Sequence, residues 1–287
     1  MSLRFLLPAL AVLLPTIGPV ASAQGTQEPT EPRVSTGKPL FTPLDIVALG
    51  SFAVMTVAIT PADQKLANFV QDSGLQTNTW LRRSATFVRE TATPGSIIIG
   101  STLYIAGRAG GNERMAELGL HGLEALAVGG GVTFVLKGMV GRARPYKGLD
   151  SPRNFGLWRG FANEDYRSFP SGHTVMAFAA AAAVTTTTDE WWPSSTWYIA
   201  PAMYGGAVLA GVSRMYDNKH WASDVVVGAA IGTFAGLKVV RYHHSDRDNW
   251  IDRTLLSISL PIDERGAGSP SFSLIPRSAV APLAGPR

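Results

Sequence analysis

Residues 170–188 read PSGHTVMAFAAAAAVTTTT. Beyond the first four positions the run is small and apolar, without the polar–apolar alternation of a half-buried strand. It therefore predicts a buried helix over His173 to Thr187. The opening four residues, Pro170-Ser171-Gly172-His173, combine a hydroxyl, a glycine that lets backbone approach a ligand, and the free amides of a helix start. Together these make a seat for an anion, with His173 at its edge. Taken alone, the same four residues are also an ordinary helix start capped by Ser171.

Two further clusters flank this one. Upstream, Lys137 and Arg144-Pro145 follow an apolar run; seven positions are nearly two helical turns, so both cations share a face roughly 10 Å apart along the axis. Pro145 pushes Arg144 out of the helix toward a loop. Two cations in that position also suit a snorkelling or solvated helix end. Downstream come Ser213-Arg214, then His220, then Asp224. Four residues on a helix bring an imidazole and a carboxylate to one face, the arrangement of an oriented nucleophile or base, although a surface His–Asp pair has the same spacing.

The three clusters together are far more specific than each alone, since one fixed four-residue string is expected only roughly 0.002 times in a chain of this length. Lys137 to Asp224 resembles the type 2 phosphatidic acid phosphatase superfamily, which also includes bacterial class A acid phosphatases and vanadium haloperoxidases. The resemblance implies an all-α bundle of six core helices. It implies that Lys137, Arg144 and Arg214 bind phosphoryl oxygens, with Ser171 and the Gly172 amide completing the cradle. It further implies that His220 attacks phosphorus, that Asp224 orients it, and that His173 protonates the leaving oxygen. Phosphoryl transfer places charge on three equatorial oxygens, which fixed cations and amide donors can stabilise without a metal or other cofactor. Neutral His220 and protonated His173 then do opposite jobs.

The implied activity is a metal-independent phosphatase for phosphate monoesters, with lipid phosphates and pyrophosphates within its range, working through a phosphohistidine. One alternative is a vanadium-dependent haloperoxidase holding vanadate in the same cradle. Another is an inactive anion-binding or membrane structural protein, against which the presence of His173, His220 and Asp224 counts.

The rest of the chain fits a helical protein. Its 287 residues are 46% hydrophobic but only 16% charged, below the usual charged fraction of soluble domains. Twenty-five Lys and Arg against 21 Asp and Glu give a net charge of +4, with no basic run interleaved with aromatics to suggest nucleic acid. No cysteine is present, which excludes disulfides, thiolate metal sites and cysteine nucleophiles. Other helices are predicted over Ile46 to Ile59, as an amphipathic pair across Asp63 to Thr91, and over Ser96 to Ala106, Met115 to Val140, Tyr198 to Val212 and Asp224 to Val240. Leu256, Ile258 and Leu260, then Phe272 and Leu274, alternate like a short hairpin.

Arg4, the apolar stretch to Val20 and Ala21-Ser22-Ala23 read as a signal peptide over 1–23. A flexible linker (24–40), a helical phosphatase domain (41–241) and a tail (242–287) follow. With the signal cleaved and six helices spanning, all three clusters would face the cytoplasm. An exported phosphatase is expected to face outward, so the preferred expectation is a periplasmic bundle, soluble or resting on the membrane surface, with an integral one as the alternative. Ala177 to Ala183 and Gly205 to Gly211 suit tight helix packing, and Trp191, Trp192, Trp197 and Tyr198 suit an interface belt. Elsewhere, His121 and Glu124 read as a pair within the bundle and His243 and His244 as solvated. Arg142 and Lys147 read as exposed flanking cations, and Trp221 as pocket wall or packing. No Asp/His set with metal-ligand spacing stands out.

Overall fold

The computed structural model describes residues 40–148, 152–246, 249–256, 258–259 and 273–274. The expected signal peptide and nearly all of the linker lie outside them. The described chain is a helical bundle, as expected. Its helices are α1 (Pro43–Ile59), α2 (Asp63–Val70), α3 (Ser73–Gln76), α4 (Thr79–Glu90), α5 (Ser96–Ala109), α6 (Glu113–Val140), α7 (Arg159–Ala162), α8 (Gly172–Trp191), α9 (Thr196–Tyr216), α10 (Ala222–Ser245) and α11 (Trp250–Leu255). The expected hairpin is a two-residue antiparallel pair, Ile258 and Ser259 opposite Leu274 and Ser273.

The quoted stretch forms the centre of the bundle. Val175, Phe178, Ala179, Ala181, Ala182 and Ala183 of α8 are buried, and α6, α9 and α10 pack around them. Small side chains allow close approach, and the closest is to α10. A Cβ at Gly228, Gly232 or Gly236 would lie 2.7 Å from Ser171 O, 2.3 Å from Val175 O or 2.6 Å from Ala179 O. Three glycines four apart thus form one ridge that seats the α8 backbone. The packing expected of the Gly205–Gly211 stretch is only partly found: Gly205 and Gly206 face open space, while Gly211 abuts Val225.

Among the described residues, three helical stretches are long and apolar enough to cross a membrane: Pro43–Val70, Glu113–Lys147 and Ala222–Ser245. In α1 the outward side is apolar, with Ile46 and Val57 each 73% exposed. Asp45, in the first turn, fixes α1 to α10 by pairing with Lys238 and Arg241. Trp192, Trp197 and Tyr198 are exposed around the turn between α8 and α9, as a belt requires. An outward surface of this kind suits lipid contact.

Candidate active site

Lys137 stands in the last turn of α6, which stops at Gly141 in the left-handed conformation (φ 56°). A Cβ at Gly141 would lie 2.0 Å from Gly156 O, so glycine permits both the turn and the contact. The chain then runs extended, and Arg144 is fixed by its amide donating to Asp165 O at 2.9 Å. Lys137 Nζ donates to Arg167 O at 2.7 Å, and its stem lies beside Gly172 at the start of α8. At the end of α9, Arg214 Nη1 pairs with Asp217 Oδ2 at 2.6 Å. Arg144 Nε and Arg214 Nε are both buried without a hydrogen-bond partner. Buried donors in that state call for an acceptor.

Ser171 is fully buried as the residue preceding α8. Its amide donates to Asp224 O at 3.1 Å, and its hydroxyl oxygen accepts from Thr174 Oγ1 at 2.8 Å. The Ser171 hydroxyl hydrogen is therefore left to donate elsewhere. His173 follows one residue into the helix. Burial, then the charges of Arg214 and Arg89, hold its imidazole down to about 4.

His220 and Asp224 come together, but not on a helix face. His220 lies two residues before α10, while Asp224 is in that helix's first turn, leaving His220 Nδ1 at 3.9 Å from Asp224 Oδ2. The ring is held instead by Ser168, whose carbonyl oxygen accepts from Nδ1 at 2.6 Å. A carbonyl can only accept, so Nδ1 carries the hydrogen and Nε2 presents its lone pair. Burial, and behind it the charge of Lys137, hold this imidazole down to about 3. It is neutral at pH 7. Asp224 is anchored from several sides: Oδ2 accepts from the Trp221 amide at 2.9 Å and from Ser168 Oγ at 2.5 Å, and Oδ1 from Arg142 at 2.5 Å.

Arg142 corrects the expectation of an exposed flanking cation. It is 2% exposed and joins Asp224 to Asp63, whose Oδ2 it meets at 2.7 Å. Lys147 is exposed as expected, paired with Asp165. Trp221 is buried packing whose indole N–H donates to Ala143 O at 2.9 Å. Sequence reasoning missed Asp63, Ser168 and Arg89. Arg89 shares Asp217 with Arg214. Their partners lie tens of residues away along the chain, and no local spacing signals them.

The PAP2 superfamily model matches residues 119–248, which contain every residue of the three clusters. Residues 119–248 resemble the PAP2 superfamily. Over 69 residues the chain is 48% identical to a lipid A 1-phosphatase of Porphyromonas gingivalis. That match spans 24% of this chain and 15% of that protein's length. Among solved structures, the transmembrane PAP2-type phosphatidylglycerolphosphate phosphatase of Bacillus subtilis is similar over 70% of this chain and 96% of its own, with a TM-score of 0.51 and 19% identity. That likeness concerns the PAP2 fold. LpxE of Aquifex aeolicus aligns over 63% of this chain and 95% of its own at a TM-score of 0.45 and 23% identity.

Proposed function

We propose that this chain is a lipid-phosphate phosphatase that works through a phosphohistidine at His220. The observation that carries this reading is the His220 ring, whose Nδ1 donates to Ser168 O and leaves Nε2 a lone pair, together with the buried guanidinium nitrogens of Arg144 and Arg214 that lack partners. Lys137, Arg144 and Arg214 hold the phosphoryl oxygens, joined by the Ser171 hydroxyl and the amides at the start of α8. His220 Nε2 attacks phosphorus and the bond to the leaving oxygen breaks, with His173 delivering its proton to that oxygen. Asp224 offsets the positive charge that grows on His220. Water then cleaves the phosphorus–nitrogen bond and releases phosphate. An anion seated among the cations reverses their effect on His173, so this residue takes up its proton as substrate binds.

A lipid substrate is supported by the apolar surface beside the site. Phe155, Leu157, Trp158 and Phe161 are exposed on the segment that packs on the Lys137 end of α6, where an acyl or prenyl chain can lie. The matches to proteins described as lipid A and phosphatidylglycerolphosphate phosphatases agree. Three helices of spanning length favour an integral bundle over one resting on the surface, exported with its site outward.

A panel of p-nitrophenyl phosphate, phosphatidate, phosphatidylglycerol phosphate and prenyl diphosphate, run with His220→Ala, tests the proposal. At least one lipid should exceed p-nitrophenyl phosphate tenfold in kcat/KM, with turnover falling by on the order of 10³ in the variant. Near-normal turnover by His220→Ala removes the nucleophile. Halide oxidation with vanadate and no ester hydrolysis would select the haloperoxidase instead.

A further inference from the structure

The end of the bundle remote from Lys137 and Asp224 holds a second buried polar cluster. His243 does not sit in solvent after the last helix, as its sequence context suggests. It belongs to the last turn of α10, is buried, and stacks on the buried His121 of α6. Glu124 Oε2 accepts from its Nε2 at 2.5 Å and Asp252 Oδ1 faces its Nδ1 at 3.0 Å. Both nitrogens donate, so the ring is a tie between α6, α10 and α11 with its hydrogens already met. Arg167, at the other end, is in a different state. Its Nε is buried without a hydrogen-bond partner. Glu164, the carboxylate paired with it, stands 3.9 Å away with its side chain 86% exposed, a contact of little strength. Arg144 and Arg214 carry a buried, unpartnered Nε in the same way, and both belong to the phosphate cradle.

The backbone fixes where Arg167 stands. Its own carbonyl accepts from Lys137 Nζ at 2.7 Å, and the next carbonyl, of Ser168, accepts from His220 Nδ1 at 2.6 Å. The side chain therefore leaves the backbone between a cradle cation and the proposed nucleophile, and its charge bears on Lys137 together with those of Arg144 and Arg214. The guanidinium carbon lies 5.5 Å from the centre of the Phe134 ring. Phe134 meets Phe161 edge-on, and Phe161 stacks on Trp158; all three rings are exposed. Trp158 holds the left-handed conformation (φ 66°), unusual for so bulky a residue, and such strain persists only where the surroundings fix it. Its amide donates to Met139 O at 2.9 Å, on the turn that carries Lys137. Arg167 thus stands where the polar cradle gives way to an aromatic surface.

Lys137, Arg144 and Arg214 already answer the oxygens of one phosphoryl group. A fourth cation with an unmet donor, on the side of the aromatic rings, calls for a further acceptor between that group and the apolar chain. A guanidinium offers its donors as a planar fork, which matches a phosphate better than a neutral ester carbonyl. We propose that Arg167 holds a second phosphate of the substrate, so that the site selects lipids in which a further phosphate separates the scissile phosphoryl group from the chain. The proposal rests on the phosphatase reading above. Two lipid types carry that chemistry: a prenyl diphosphate, with the two groups joined directly, and phosphatidylglycerol phosphate, with glycerol between them. Prenyl monophosphate and phosphatidate are their counterparts without the second phosphate.

The test measures kcat and KM of the full chain in detergent on these four lipids. For at least one pair, KM should be about tenfold lower on the lipid with two phosphates than on its counterpart. Arg167→Met keeps an apolar stem over Phe134 and removes the charge; it should erase that preference through KM, and Arg167→Lys should recover part of it. Glu164→Gln should retain it. A preference confined to the prenyl pair assigns directly joined phosphates, and one confined to the glycerol pair assigns spaced ones. A preference that survives Arg167→Met makes the guanidinium a cover for Phe134, and equal losses on all four lipids make it a support for Lys137; either result overturns the proposal. So does a wild-type chain without a preference, even if the variants fail to fold. Calorimetric binding of the four lipids to His220→Ala separates this outcome from failure of the phosphatase reading. If the wild-type chain hydrolyses none of them, tighter binding of a two-phosphate lipid that is lost on adding Arg167→Met upholds the role of Arg167, and equal binding of all four overturns it.

Discussion

Ser168 holds the imidazole whose chemistry the proposal needs, and it does so with both its parts. The carbonyl accepts from His220 Nδ1 while the hydroxyl donates to Asp224, so one residue sets the tautomer and ties the carboxylate behind it. His220, His173, Asp224, Lys137, Arg144, Arg214, Ser171 and Gly172 could be put forward from the sequence as candidates because each has neighbours of matching chemistry a few positions away. Arg142 was misread for the opposite reason. Its partners Asp63 and Asp224 lie 79 and 82 positions distant, and a cation in an apparent loop gives no local sign of burial.

The leaving-group role of His173 predicts a selective defect. His173→Gln should slow alkyl phosphates by about 10²–10⁴ and p-nitrophenyl phosphate much less, because nitrophenolate departs without a proton. Equal losses on both would remove His173 as the acid. The two histidines also make acid tolerance measurable. Each has a folded pKa below its ordinary 6.5, so the unfolded chain takes up more protons as the pH falls. Their stabilising contribution is complete above pH 6.5 and is lost from there toward pH 4 and 3. Thermal unfolding in detergent should give a lower Tm at pH 5 than at pH 7.5, and His220→Asn should shrink that difference.

At the scale of elements, helix positions were readable from apolar runs, while their ends are set in the structure by side chains that cap them. Asn112 accepts from the Met115 amide at the start of α6, and Asn78 caps α4. Which faces met was not readable. Gly205–Gly211 and Gly228–Gly236 both carry glycine spacings that allow close packing, and only the fold decides that the second forms the main ridge against α8. That ridge predicts a paired result. Gly232→Leu drives a side chain into the Val175 carbonyl and should cost at least about 1–3 kcal/mol, read as a lower Tm with turnover falling alongside. Gly206→Leu, at a position with open space, should leave both unchanged.

For the whole molecule, the sparse charge has a physical reading. Part of it is drawn inward, with Arg142 on Asp63 and Asp224 at one end and the histidines on their carboxylates at the other. The outward sides of α1 and much of α6 are left apolar. The sequence conveyed the deficit but not this distribution, because burial of a charge depends on partners brought by the fold. An integral bundle should stay with the membrane pellet through an alkaline carbonate wash; release into the supernatant would restore the surface-bound alternative.

α6 and α10 run through both networks in opposite directions. Lys137 follows His121 by 16 positions and His243 follows Asp224 by 19, roughly 24 and 28 Å of helix. That is close to the apolar thickness of a bilayer. If the helices cross it, the phosphate cradle and the buried histidine cluster lie toward different sides of the membrane. In sealed vesicles, an impermeant phosphate ester supplied from one side would then be hydrolysed only when that side is the one toward Lys137 and Asp224.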